Sequence, residues 1–325
     1  MKIRRKNIII IAFFIITITS FTAIISYLIP NESKKKVYKI SYISSSTKEK
    51  NLKFISEGIS RAAKDMNAEV TIYKLLSGKE VENQVSLLKK ESEKNVDAIL
   101  ISPVDYEKLA KPIEEANEKV PIILINSKID SNKKLPYISC NNYGLGVNLA
   151  EEVLQRGNTR KRIVIVKENI NSSNLNEMEE GFKDELKNSK NSLLELKLKE
   201  NKNNYYDQML SFIKENNVDI IVSFNEDIIE VAAKLKKDLL WQKDKGSFEL
   251  YGASKANEII SYIEEEIIDG LAIENEFNIG YLGTEMAIKK ITNEKIEEKE
   301  IGFTVINKRN MYLEENQKLI FPFIK

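Results

Sequence analysis

The sequence predicts an α/β protein built on parallel sheet and preceded by one membrane-spanning helix, and three observations carry that reading. From Val37 onward, short apolar runs bounded by turn residues alternate with longer stretches of helical period, which is the pattern of βαβ units. Ahead of them, Asn7 to Ile29 passes without one charged side chain, directly after Lys2, Arg4, Arg5 and Lys6. The chain has 325 residues, 42% hydrophobic and 30% charged, which suffices for one large or two ordinary domains with cores of their own. Such a composition rules out a disordered chain.

The uncharged segment comes first in the chain. As a helix it would rise about 34 Å, enough to cross a hydrocarbon core of about 30 Å. Its basic leader should stay cytoplasmic, placing everything after Pro30 outside. A cleaved signal peptide is the competing reading, but it needs a shorter apolar stretch of about 7–15 residues and a small-x-small site. Here the stretch ends Ser26-Tyr27-Leu28-Ile29-Pro30, a poor cleavage site, and no cysteine follows closely enough for a lipid anchor. Residues 1–36 are therefore expected to be a leader, an uncleaved single-pass anchor in the cell membrane and a short polar stalk.

Beyond the stalk the strand candidates are Tyr38–Ile43, Val70–Leu75, Ala98–Ile101, Ile122–Ile125, Arg162–Val166, Leu194–Leu198, Ile220–Ser223, Glu249–Gly252 and Leu271–Glu274. Helical stripes lie between them. Leu52, Ile55, Ile59, Ala62 and Met66 form one; Val81, Val85 and Leu88 the next; then Leu109, Ile113 and Ala116, and later Leu145, Leu149 and Val153. Their plain reading is core packing. Gly144 and Gly146 begin like a dinucleotide fingerprint, but Leu149 stands where its third glycine would be, and no cofactor is expected.

Composition removes several functions. With no histidine in the chain, every nucleophile system or zinc helix that needs an imidazole is excluded. The single cysteine, Cys140, can form neither an internal disulfide nor a multi-cysteine metal site. Beyond residue 36 there are 43 Lys/Arg against 48 Asp/Glu, a net −5. A mildly acidic body without a long basic run argues against nucleic acid as a partner.

Three stretches then carry a family resemblance. One runs Ala98 to Asp105, through Glu114 to Asn117, to Val120–Asn126; a second is Ser139 to Gly146; the third is Val218 to Asp227, followed by Leu250 to Gly252 and Ile273 to Gly280. In this order and spacing they resemble the periplasmic binding proteins of the ribose-binding type, the substrate-binding proteins of sugar ABC transporters, over nearly all of Val37 to Lys325. The resemblance implies two doubly wound parallel-sheet lobes joined by a three-segment hinge, with a sugar-sized ligand closed between them. It assigns residues 37–139 plus 275–301 to lobe 1 and residues 140–274 plus 302–325 to lobe 2.

The same resemblance supplies candidate ligand-binding residues. Ser102 falls where many relatives have a binding Asn, Asn126 with Ser127 where sugar binders often carry Asp-Arg, and Asn176 near a family Arg. Ser254 falls near a family Asp, Glu274 near a Gln, and Asn225 directly on a family Asn. The aromatics that relatives place around Asn51 and Leu52 are missing unless Phe54 substitutes. Each candidate also has a local reading. Asn142 reads as a helix N-cap and Asp105 as a cap, Asn126 as turn former or ligand donor, and Asn225 as helix opener or ligand contact. Cys140 reads as a small hinge residue, and Phe277 and Trp241 as core or surface rings unless one stacks on a pyranose face.

The implied function is an extracytoplasmic, membrane-anchored binding protein for a small polar ligand, a carbohydrate, serving an ABC permease or a membrane histidine kinase. The alternative is a carboxylate-dependent, membrane-anchored enzyme acting on glycans, which needs two opposed carboxyls about 5–9.5 Å apart, and no motif identifies such a pair. A repressor is disfavoured because DNA-binding helices would have to occupy the N-terminus.

Overall fold

The computed structural model describes residues 12–22, 36–199, 202–241, 248–254, 257–297 and 299–320. The chain divides into two units, Met1–Val37 and Tyr38–Lys325. In the first, residues 12–22 form helix α1, with Phe13, Phe14, Ile15, Ile16, Ile18 and Phe21 all exposed. No helix among the described residues is long and apolar enough to cross a membrane. The expected span, Asn7 to Ile29, lies partly outside the described residues.

The second unit holds two sheets. The first is made of β1 (Tyr38–Ile43), β2 (Ala68–Tyr73), β3 (Ala98–Ile101), β4 (Ile122–Ile125) and β5 (Tyr137–Ile138), all parallel, in the order β2-β1-β3-β4-β5. The other contains β6 (Arg162–Lys167), β7 (Ser192–Lys197), β8 (Ile220–Ser223), β9 (Glu249–Ala253), β10 (Gly270–Glu274) and β11 (Phe303–Ile306), in the order β11-β10-β9-β8-β6-β7. Its first five strands repeat the winding of the other sheet, and β11 closes the edge antiparallel to β10. That one antiparallel strand corrects the expectation of purely parallel sheets. β5 and β11 were not foreseen, being short and, in β11, only half-buried. The central strands β3, β4 and β8 are buried along their whole length, as continuous apolar runs covered on both faces must be.

Helices cover both faces of each sheet. On the first sheet, α2 (Lys53–Asp65) packs against α10 (Glu276–Ile291), while α3 (Glu80–Ser92) and α4 (Ala110–Asn117) lie together on a separate core cluster. On the second, α5 (Asn142–Gln155) packs against α6 (Ser173–Leu186). There α7 (Tyr205–Asn216), α8 (Glu226–Trp241), α9 (Asn257–Glu264) and α11 (Glu314–Ile320) share another core. The chain passes between lobes three times: from β5 to α5, from β10 to α10, and from α10 to β11.

The same device fixes one helix pair in each lobe. A Cβ at Gly58 would meet the carbonyl of Phe277, and one at Gly280 the carbonyl of Ile55, so α2 and α10 cross with their backbones in contact. Gly146 faces the carbonyl of Met178 and Gly181 that of Tyr143, giving α5 and α6 the same reciprocal crossing. The glycine of the apparent dinucleotide fingerprint is thus a helix-packing residue.

Candidate functional site

Loops that follow the carboxyl ends of strands in both sheets converge on one cleft of about 800 Å³. This is where a doubly wound sheet collects its ligand groups, because side chains at strand ends and backbone amides at helix starts all face that edge. Ser45, Ser46, Thr47 and Asp105 line it from the first lobe, and Glu168, Asn174, Glu226 and Asp227 from the second. Among the described residues its only rings are Tyr205 and Phe224. Phe277 stacks on Tyr281 at 6.4 Å, Phe54 is buried and Trp241 is 87% exposed, so none of them supplies an aromatic wall to this cleft.

Asn126, Asn225, Ser254 and Glu274 all line the cleft. Asn126 has a left-handed backbone, φ 62°, held by its amide N donating to Ile138 O (2.9 Å) and its carbonyl accepting from the Tyr137 hydroxyl (3.0 Å). Its side-chain oxygen Oδ1 is buried with no hydrogen-bond partner. A buried acceptor left unpaired is costly, and a ligand donor would satisfy it. Asn225 both lines the cleft and caps α8, its Oδ1 accepting from the amides of Asp227 (2.9 Å) and Ile228 (3.2 Å). With the oxygen engaged, its NH2 is the part left to offer a ligand. Glu274 accepts from the Cys140 thiol (2.9 Å), which ties two of the interlobe connections together.

Ser102 and Asn176 stand elsewhere. Ser102 is buried, its hydroxyl 3.1 Å from that of Tyr42 and its carbonyl accepting from Gln84. Asn176 is exposed on α6 and donates to Asn171 Oδ1 (2.9 Å). Neither is among the cleft-lining residues. The N-cap of α5 is Asn141, accepting from Gly144 N (2.9 Å), and not Asn142, whose amide reaches Glu177 (3.0 Å). Asp105 caps the turn before α4 through the amides of Glu107 and Lys108 while lining the cleft.

Two features escaped the sequence reading. Asn51 presents a second buried, unpartnered amide oxygen to the cleft. Gln84 is fully buried in α3, donates to the carbonyls of Ser44 and Ser102 (2.9 and 2.7 Å), and accepts from Val104 N (3.0 Å). One side chain thereby fixes the loops after β1 and β3. Nothing in the pattern of α3 distinguishes Gln84 from a surface glutamine.

The lobes already touch beside the cleft. Lys48 pairs with Asp227 (2.7 Å) and Glu230 (3.1 Å), and Lys50 with Glu230 (3.2 Å). On the opposite flank the hydroxyls of Ser127 and Ser172 lie 2.7 Å apart, and Lys128 N donates to Ser173 Oγ (2.7 Å). Burial disfavours the charge on Lys48, but Asp227 and Glu230 outweigh it and hold the ammonium above its usual pKa. Burial likewise works against charge on Glu230, and Lys48 with Lys50 reverse the balance and hold it below the usual carboxylate value. The pairs contribute fully above that usual value and are lost as the pH falls through the lowered one. Small-angle scattering of the empty protein should therefore show it widening both in acid and in molar salt. Dimensions unchanged by either would mean that the ion pairs do not hold the lobes.

Two α/β lobes joined by three crossings, with a polar cleft at the facing strand ends, are the architecture of a two-lobed binding-protein fold. The match to the periplasmic binding protein domain spans residues 40–295, and the chain belongs to that family. A comparison with curated proteins gave no match. Among solved structures, a carbohydrate transporter solute-binding protein from Agrobacterium radiobacter, in complex with D-arabinose, is similar at 22% identity and TM-score 0.80, with 88% of this chain and 99% of that one covered. An ABC transporter solute-binding protein from Agrobacterium vitis, bound with α-D-tagatopyranose, is similar at 20% identity and TM-score 0.78, covering 87% and 99%. Another from Agrobacterium vitis, with bound D-fucose, is similar at 18% identity and TM-score 0.79, covering 87% and 100%.

Proposed function

We propose that this protein is an extracytoplasmic, membrane-anchored solute-binding protein that closes its two lobes around a carbohydrate and carries out no chemistry on it. The observation that carries the reading is the cleft, where hydroxyl, amide and carboxylate groups from both lobes converge and two amide oxygens are buried without partners. Sugar hydroxyls donate and accept at adjacent positions, and Asn, Ser, Asp and Glu side chains match them. The sugars held by the three related structures point the same way. Ligand contacts to both lobes would stabilise the closed form, and the closed form is what a membrane partner would read.

That partner is an ABC permease in uptake or a histidine kinase in sensing. The uncharged N-terminal segment, with a poor cleavage site at its end and no cysteine close behind it, favours a tethered sensor. Thermal unfolding of the full-length protein against D-arabinose, D-fucose and D-tagatose tests the ligand class. A binder at a hundredfold excess over Kd should add about 2.7 kcal/mol of stability. Conversion of any sugar to product would overturn the non-enzymatic reading. Mass spectrometry of the membrane fraction tests the anchor: the N-terminal region should be intact, and a mature chain beginning near position 28 would contradict it.

A further inference from the structure

The cleft is longer than a monosaccharide needs. In the first lobe its lining runs from Asn126 after β4 to Ser77 and Glu80 after β2; in the second it runs from Glu274 on β10 to Asn203 and Tyr205 after β7. β3 and β1 separate the two ends in one sheet, and β9, β8 and β6 separate them in the other. At roughly 4.8 Å per strand step, the lining extends about 14 Å across the first sheet and about 19 Å across the second. A pyranose ring is about as wide as one such step.

Volume leads to the same conclusion. A hexose at the packing density of a protein interior fills roughly a quarter of a cleft of about 800 Å³. Nor is the excess room that further closure would remove, since Lys48 with Asp227 and Ser127 with Ser172 already bring the lobes into contact at 2.7 Å. The distal end carries Ser77, Glu80 and Asn203, groups that can hydrogen-bond sugar hydroxyls as the inner end can.

We infer that the ligand is an oligosaccharide of about two to three units, with its inner unit at Asn126 and Glu274 and its outer end between the loops after β2 and β7. This inference rests on the carbohydrate reading above. Calorimetry on the full-length protein in detergent tests it, using arabinose, galactose and glucose beside their di- and trisaccharides. At least one oligosaccharide should bind about tenfold tighter than its own monomer, a difference of roughly 1.4 kcal/mol. The double variant Ser77→Leu/Asn203→Leu, altering two exposed residues, should erase most of that preference and leave monomer affinity unchanged. A monosaccharide that binds as tightly as its oligomers, or a preference that survives the double variant, overturns the inference while the carbohydrate reading stands. Binding of a nucleoside or amino acid with no carbohydrate of any length bound would overturn that reading and the inference with it.

Discussion

Gly280→Ala and Gly181→Ala are expected to be strongly destabilising, as Gly58→Ala and Gly146→Ala should be on the facing helices. In each case the new Cβ meets a backbone carbonyl on the partner helix, Ile55 for one and Tyr143 for the other, and a carbonyl within a helix cannot swing aside. The helices must separate, and the packing around Ile59 and Ile279 in one lobe, or Leu149 and Phe182 in the other, must loosen with them. Overpacking of this kind costs up to about 3 kcal/mol, which in a body of this size should lower the melting temperature by roughly 5 °C. Gly302→Ala is the control, because nothing lies within 4 Å of the added atom. Thermal unfolding of the three variants checks the expectation, and equal melting temperatures would mean that the crossings are not close-packed in solution.

The second large effect is on binding, and it needs variants that separate ligand contact from local structure. Asn225→Ala removes the α8 cap as well as the amide, so it should weaken sugar binding and cost about 1 kcal/mol of stability. Asn225→Ser replaces the carboxamide with a hydroxyl that can still cap α8 but no longer offers an NH2 group. It should melt like the parent and bind more weakly. At Asn126 the left-handed backbone makes Ala a poor probe, whereas Gly accepts φ 62° freely. Asn126→Gly should leave the empty protein as stable or slightly more so, since it deletes a buried acceptor that has no partner. Its affinity for sugar should fall by about 0.5–1.5 kcal/mol, some two- to twelvefold. Should Asn225→Ser and Asn126→Gly both bind normally, these residues are cap and turn formers and the contacts lie elsewhere in the cleft.

How much of this was legible depends on the kind of signal each residue leaves. β3, β4 and β8 could be bounded to the residue because their apolar runs end at turn formers, and β1 because its apolar residues alternate with Lys39 and Ser41 up to Ile43. β11 could not, because its four residues lie at a sheet edge where burial no longer enforces a pattern. For the cleft, Asn126 and Asn225 follow apolar strand runs and line it as strand ends should, while Glu274 and Ser254, suggested by the family resemblance, line it too. Ser102, suggested by the resemblance, also follows a strand but turns its hydroxyl to Tyr42 and does not line the cleft. A strand end fixes where the backbone is, while side-chain direction depends on neighbours from distant segments. Gln84 and Asn51 were hidden for the same reason: what distinguishes them is a set of partners, or the lack of one, that exists only after folding.

The crossing of α2 and α10 also sets an order of assembly. Gly58 lies near the start of the body and Gly280 near its end, so a growing chain holds β1 to β5 long before the helix that covers α2 has been made. The second lobe has no such wait for β6 to β10, whose connections are local. During synthesis β6 to β10 can therefore pair before the earlier lobe is covered, and that lobe keeps an uncovered apolar face until residues 276–291 emerge.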